Sequence, residues 1–182
     1  MLVIHPKDRD TPMFSALYEG TEAKVVNDNR SVKEVGHLLD QTPPQERIML
    51  LGKGSWQGLH YRKEDADKGF ERIIVGHPHA GLLRRHGGNL IGIWSHAARF
   101  ARREGLHGLF TREIITNTRE AESYGNITLR YYIEEINEQL FAQLRKLLEE
   151  GTPLHEIPER MKDLNKKYST VPMINYGSFV YL

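Results

Sequence analysis

The sequence predicts an α/β domain built on a mainly parallel sheet, and three observations carry that prediction. Short apolar runs alternate with helical patterns through the first two thirds of the chain. Two runs, residues 47–51 and 89–94, stay apolar over strand length, as expected of strands covered on both faces. From residue 128 the pattern changes to long-period helix. At 182 residues the chain suits one domain with a real core, an α/β core over 1–127 and a helical region over 128–182.

Each element has a local reason. Residues 2–4 read as a first strand, stopped by His5 and Pro6, because proline restricts its predecessor and cannot donate to a ladder. Residues 23–26 read as a second strand. Ser31 and Glu34 have capping-box spacing, and Val32, Val35, Leu38 and Leu39 form one apolar helical face that Pro43 and Pro44 end. Residues 56–71 read as loop and 72–75 as a short strand. Pro78 can open a short helix that Gly87 and Gly88 close. The central strand over 89–94 runs straight into Ser95, His96 and Ala97. A helix then extends to Gly105, with strands expected at 109–110 and 114–116. Leu129, Ile133, Ile136, Leu140, Leu144 and Leu147 mark the strongest helix, stopped by Gly151. A less regular helix follows between Pro153 and residue 168. The apolar tail, 171–182, is expected to pack against the body.

Composition narrows the function classes. The formal net charge is +1, from 25 basic and 24 acidic side chains, so no strong field favours nucleic acid or a membrane surface. The basic clusters at Arg84, Arg85 and His86 and at Arg99, Arg102 and Arg103 read as solvated helix faces. Charges at Lys7, Asp8, Arg9 and Asp10 exclude an N-terminal signal peptide, and no stretch reaches the ~20 apolar residues of a membrane helix. Cysteine is absent, which removes disulfides, thiolate metal sites and thiol nucleophiles. The expectation is a cytoplasmic protein with no cofactor. His60, His77, His79, His86, His96 and His107 lack zinc-site spacing and read as surface or loop residues, so no metal is expected.

Sites in parallel sheets lie beyond the carboxyl ends of strands. Two loops qualify, Gly52-Lys53-Gly54-Ser55 and Ser95-His96-Ala97, each directly after a buried-looking strand. Glycines around Lys53 permit a sharp turn and leave amides free for an oxyanion, Gly54 first among them. The first loop is not a phosphate-binding P-loop, because Arg47 stands at the required upstream glycine and Gly54 follows the lysine. Trp94 reads as core. Trp56 reads as either a cleft lining or a lid residue packed on the C-terminal helices. His96 neighbours Ser95 but should point away from it. Glu113, Asn117, Glu120 and Glu122 cluster after the last expected strand, with Asn117 a helix cap.

The frames LLGKGSWQGL and NLIGIWSHA resemble the strand-then-His-Gly and strand-then-Cys segments of caspase-like cysteine peptidases. Lys53 stands at the histidine position and Ser95 at the cysteine position. The chain is also similar to a small bacterial family of caspase-like proteins, through residues 4–8 (IHPKD), 51–59, 93–98, 105–110 and Glu120-Ala121. The resemblance implies a three-layer caspase-like fold with appended C-terminal helices. It also implies a histidine-assisted thiolate that attacks a peptide carbonyl while backbone amides hold the oxyanion. Here histidine, cysteine and a nearby acid are replaced by Lys53, Ser95 and Ala98.

Three readings follow. The first is a catalytically silent or regulatory relative that binds a peptide or protein partner across Lys53, Gly54, Ser55, Trp56, Ser95 and His96. The second is a serine hydrolase with Ser95 as nucleophile and Lys53 as base, which requires an apolar pocket around Lys53 and no nearby carboxylate. The third is a small-molecule-binding module on the same edge.

Overall fold

The computed structural model describes residues 1–62 and 72–182. Its centre is a six-stranded sheet with the order β2-β1-β3-β7-β8-β9. Five strands are parallel: β1 (Leu2–Ile4), β2 (Lys24–Val26), β3 (Ile48–Leu51), β7 (Leu90–Ile93) and β8 (Gly108–Thr111). The sixth, β9 (Phe179–Tyr181), runs antiparallel at the edge beside β8. A small antiparallel sheet joins β4 (Gly54–Ser55), β5 (Gly58–Tyr61) and β6 (Arg72–Gly76).

The uninterrupted apolar runs are explained by burial on both faces. Leu2, Ile4, Ile48, Leu50 and Leu90 point into one hydrophobic cluster, with Val35, Leu39, Leu83 and Phe100. The alternating residues Val3, Met49, Leu51, Ile91 and Ile93 point into the other, with Phe14, Ile133, Leu140 and Phe141. Period-two alternation thus assigns successive residues of each strand to opposite layers. Each fully buried Leu or Ile contributes about 1.5–3 kcal/mol, so four-residue strands hold their places firmly.

Helices α1 (Val32–Gln41), α2 (Ala80–Arg84) and α3 (Ala97–Glu104) supply the first cluster. Segment Pro12–Leu17, a 3-10 turn, and α5 (Arg130–Glu149), α6 (Ile157–Leu164) and α7 (Thr170–Gly177) supply the second. The capping box of α1 is complete: Glu34 N donates to Ser31 Oγ, and Ser31 N donates to Glu34 Oε2. Among the described residues no helix is long and apolar enough to cross a membrane.

Three expectations need correction, and that for the tail is met and extended. The loop expected over 56–71 holds strand β5 in its described part, while residues 63–71 lie outside the described residues. Residues 114–116 form no strand. The Ile115 N–H donates instead to Asn175 Oδ1 at 2.8 Å, and its carbonyl accepts from Asn137 Nδ2 and Asn175 Nδ2, each at 2.9 Å. Two buried side-chain amides thereby replace a sheet ladder. The tail does more than pack, because β9 completes the sheet. His79 and His86 are buried, not surface residues: His79 bonds the Val32 carbonyl and the Gly76 N–H, and His86 bonds the Glu46 carbonyl.

Candidate functional site

Lys53 and Ser95 leave neighbouring strands on the same edge. Leu51 pairs with Ile93 in the β3–β7 register, and each candidate lies two residues beyond its partner. The edge is therefore the carboxyl end of a parallel pair, where connecting loops converge.

The turn that presents Ser95 is held by hydroxyl groups. Beyond the last residue of β7, Trp94 N donates to Thr111 Oγ1 at 3.1 Å, and Thr111 Oγ1 donates to the Trp94 carbonyl at 2.8 Å. Ser95 repeats the device one residue later. Its Oγ accepts from Ile114 N and donates to the Ile114 carbonyl, both at 3.1 Å. Next, His96 takes a left-handed backbone (φ 74°), the sole positive φ among the described non-glycine residues. That turn reverses the chain into α3. The His96 ring is engaged by Glu113, its Nδ1 2.8 Å from Glu113 Oε1.

Lys53 is committed elsewhere. Its Nζ donates to Thr116 Oγ1 and to Glu120 Oε1, and its side chain is only 17% exposed. Glu120 is itself fixed, because its Oε2 accepts from the Thr116 backbone at 2.8 Å and its own N–H donates to Asn117 Oδ1 at 2.9 Å. Asn117 is the N-cap of α4 (Thr118–Ser123), as its position suggested. Its Nδ2 reaches Asp10 Oδ2, which also accepts from Arg62. One polar chain thus links the loops after β1, β3, β5 and β8.

Gly54 is tied to its place by sterics. A Cβ there would lie 2.3 Å from Trp94 Cδ1 and 2.5 Å from the Gly58 carbonyl oxygen. The Trp94 indole is fully buried as expected, and its Nε1 donates to the Ser55 carbonyl at 3.0 Å. Ser55 Oγ lies 3.1 Å from His60 Nε2 and accepts from Gln57 N. Trp56 lies on α3, with the guanidinium carbons of Arg103 and Arg99 4.8 and 5.6 Å from its ring. Ala98 is buried within α3.

A cavity of about 340 Å³ opens beside Ser95, lined by His96, Glu113, Ile114, Ile115, Glu120, Ser123 and Tyr124. Burial raises the Tyr124 phenol above its ordinary range, and the charges of Glu113 and Glu120 add to the effect. The lining therefore offers carboxylates, hydroxyls and one imidazole to a polar ligand. Glu113 and Glu120 were legible as a cluster. Thr111, Thr116 and Tyr124 were not, because ordinary Thr and Tyr residues carry no local mark of a tertiary partner. His77 Nδ1 lies 2.8 Å from Glu104 Oε2, and both ring nitrogens of His79 are taken by backbone groups. Among the described residues no cluster of three His, Asp or Glu side chains is placed to hold a metal ion. No protein-family model matches the chain, and no curated protein matches it either.

Proposed function

We propose that the protein is a catalytically silent or regulatory relative of the caspase-like peptidases that binds a peptide or protein partner at the Lys53/Ser95 edge. The caspase-like reading is supported by two features. The frames resembling the His and Cys segments end adjacent parallel strands in register, and helices cover both sheet faces. The silent reading rests above all on the commitment of both candidate groups. A lysine that serves as general base must offer a lone pair toward its nucleophile. Lys53 instead donates to a carboxylate and a hydroxyl, and Ser95 directs its own proton to a backbone carbonyl. The apolar, carboxylate-free surroundings that a serine–lysine pair requires are absent around Lys53, since Glu120 is in direct contact.

The cavity beside Ser95 supplies the binding half of the proposal. Its walls bring Glu113, Glu120, Tyr124 and Ser123 around a volume that accepts one side chain of a docked segment. Backbone on the loop above it is already tied down by Ser95 and Asn175, so the site is largely pre-formed.

A peptide array probed with the full chain tests this reading. Bound peptides should be recovered intact by mass spectrometry, and Glu113→Gln should weaken their capture. Cleaved peptides, with cleavage lost in Ser95→Ala, would establish the serine-hydrolase alternative instead.

A further inference from the structure

A second cavity on the same sheet edge lies apart from Ser95, and the motif over residues 4–8 forms much of its wall. It measures about 290 Å³ and is lined by His5, Lys7 and Asp8 after β1, Asn27 after β2, and Ser15 and Tyr18 around the 3-10 turn. Strands β1 and β2 are parallel neighbours, so the cavity lies at their carboxyl ends, where ligands of parallel sheets bind.

The charges on this wall are unequal in availability. Asp8 is matched: Arg62 Nε donates to its Oδ2 at 3.0 Å, while Arg62 and the Asp10 N–H donate to its Oδ1 at 2.9 and 2.8 Å. His5 is uncharged at neutral pH, because burial lowers its pKa to about 4, and its ring lies 2.9 Å from the Tyr18 hydroxyl through Nδ1. Lys7 is exposed, and its ammonium has no ion pair or hydrogen bond among the described residues. Its backbone is nonetheless fixed, since Lys7 N donates to the Asn27 carbonyl at 3.2 Å. The cavity thus combines a positioned, unneutralised cation with hydroxyl and amide groups and the flat faces of Tyr18 and Pro12.

We propose that this cavity binds a small organic anion, a carboxylate or phosphomonoester with a ring-sized body, whose charge is met by Lys7. The volume lies near the lower end for ligand pockets, which suits one ring and one anionic group rather than a dinucleotide or a peptide. Exposure of the ammonium keeps its desolvation cost low. Tyr18 and Asn27 supply direction, the Ser15 hydroxyl being donated to Glu19, so orientation comes from neutral groups and attraction from the single cation. The proposal does not rest on the peptide-binding reading, and either can fail without the other.

Phenyl phosphate and benzoate are the probes, benzyl alcohol is the neutral control, and amide shifts of the full-length chain are the readout. The expected result is saturable binding of at least one anion, with shifts centred on Lys7, Tyr18 and Asn27. Lys7→Gln should weaken it by at least about tenfold, while Lys146→Gln, on the exposed face of α5, leaves it within about twofold. The anion that binds more tightly assigns carboxylate or phosphomonoester. The exposed Lys7 side chain makes no ion pair or hydrogen bond among the described residues, so its variant should fold, and an unchanged melting temperature checks that. Absence of saturable binding up to ~10 mM of both anions, equal binding of benzyl alcohol, or loss in Lys146→Gln but not in Lys7→Gln would each overturn the proposal.

Discussion

Two lysines rise from the same sheet edge on adjacent strands, and the fold treats them differently. Lys53, after β3, is largely covered and bound to Glu120 and Thr116. Lys7, after β1, is exposed and its ammonium is unpaired among the described residues. A charge already neutralised inside a network holds loops together and has little left to offer a ligand or a proton. An unneutralised charge on a fixed backbone costs little to keep solvated and remains available for an anion. The position that the family resemblance marks as catalytic is therefore the more structural of the two.

The largest expected effect probes how rigidly the Lys53 side is built. Gly54→Ala should destabilise by about 3 kcal/mol or more, because the new Cβ meets the Trp94 ring and a backbone carbonyl and neither can retreat. Urea unfolding measures it, and a loss below about 1 kcal/mol would mean that this wall is softer than its contacts imply.

On the Lys7 side the comparable quantity is pH-dependent. His5 is folded in its neutral form with a pKa near 4, against 6.5 in the unfolded chain, so the unfolded state binds the extra proton between these values. Its contribution is complete above about pH 6.5 and is lost as pH falls toward 4, a change on the order of 3 kcal/mol. His5→Gln should flatten the acid side of the stability curve in that window. An unchanged slope would show that His5 is not held neutral by burial.

The comparison itself is sharpened by paired substitutions. Lys53→Met should cost about 1–3 kcal/mol by leaving Glu120 without its partner in a partly covered site. Lys7→Gln should stay within about 0.5 kcal/mol of the parent. Similar losses at both positions would erase the distinction drawn between the two lysines. The smallest effect concerns the turn after Ser95. His96→Gly should be more stable than His96→Ala by about 1 kcal/mol, since both lose the Glu113 contact and only alanine keeps the strain at φ 74°.

What the sequence revealed was local or close to it. The capping box of α1 needs only Ser31 and Glu34, three residues apart, and both hydrogen bonds are present. The runs at 47–51 and 89–94 announced strands buried on both faces, and with them the edge that carries Lys53 and Ser95. The partners of those two residues were harder to read. Glu120 lies 67 positions from Lys53, and the amides that take over the backbone of Ile115 lie 22 and 60 positions away. An extended apolar segment such as 114–116 looks like a strand until its ladder partners prove to be Asn137 and Asn175. Strand β9 was hidden for another reason: three residues after a helix are too few to establish a period.

The commitment of Ser95 to Ile114 is most directly tested by fluorophosphonate labelling across pH 7 to 10, read by intact-protein mass spectrometry. A hydroxyl whose proton is held by a backbone carbonyl, with Lys53 committed to Glu120 and Thr116, should remain unlabelled throughout that range. Stoichiometric labelling that disappears in both Ser95→Ala and Lys53→Met would contradict the silent reading and restore Lys53 as the base of a working hydrolase.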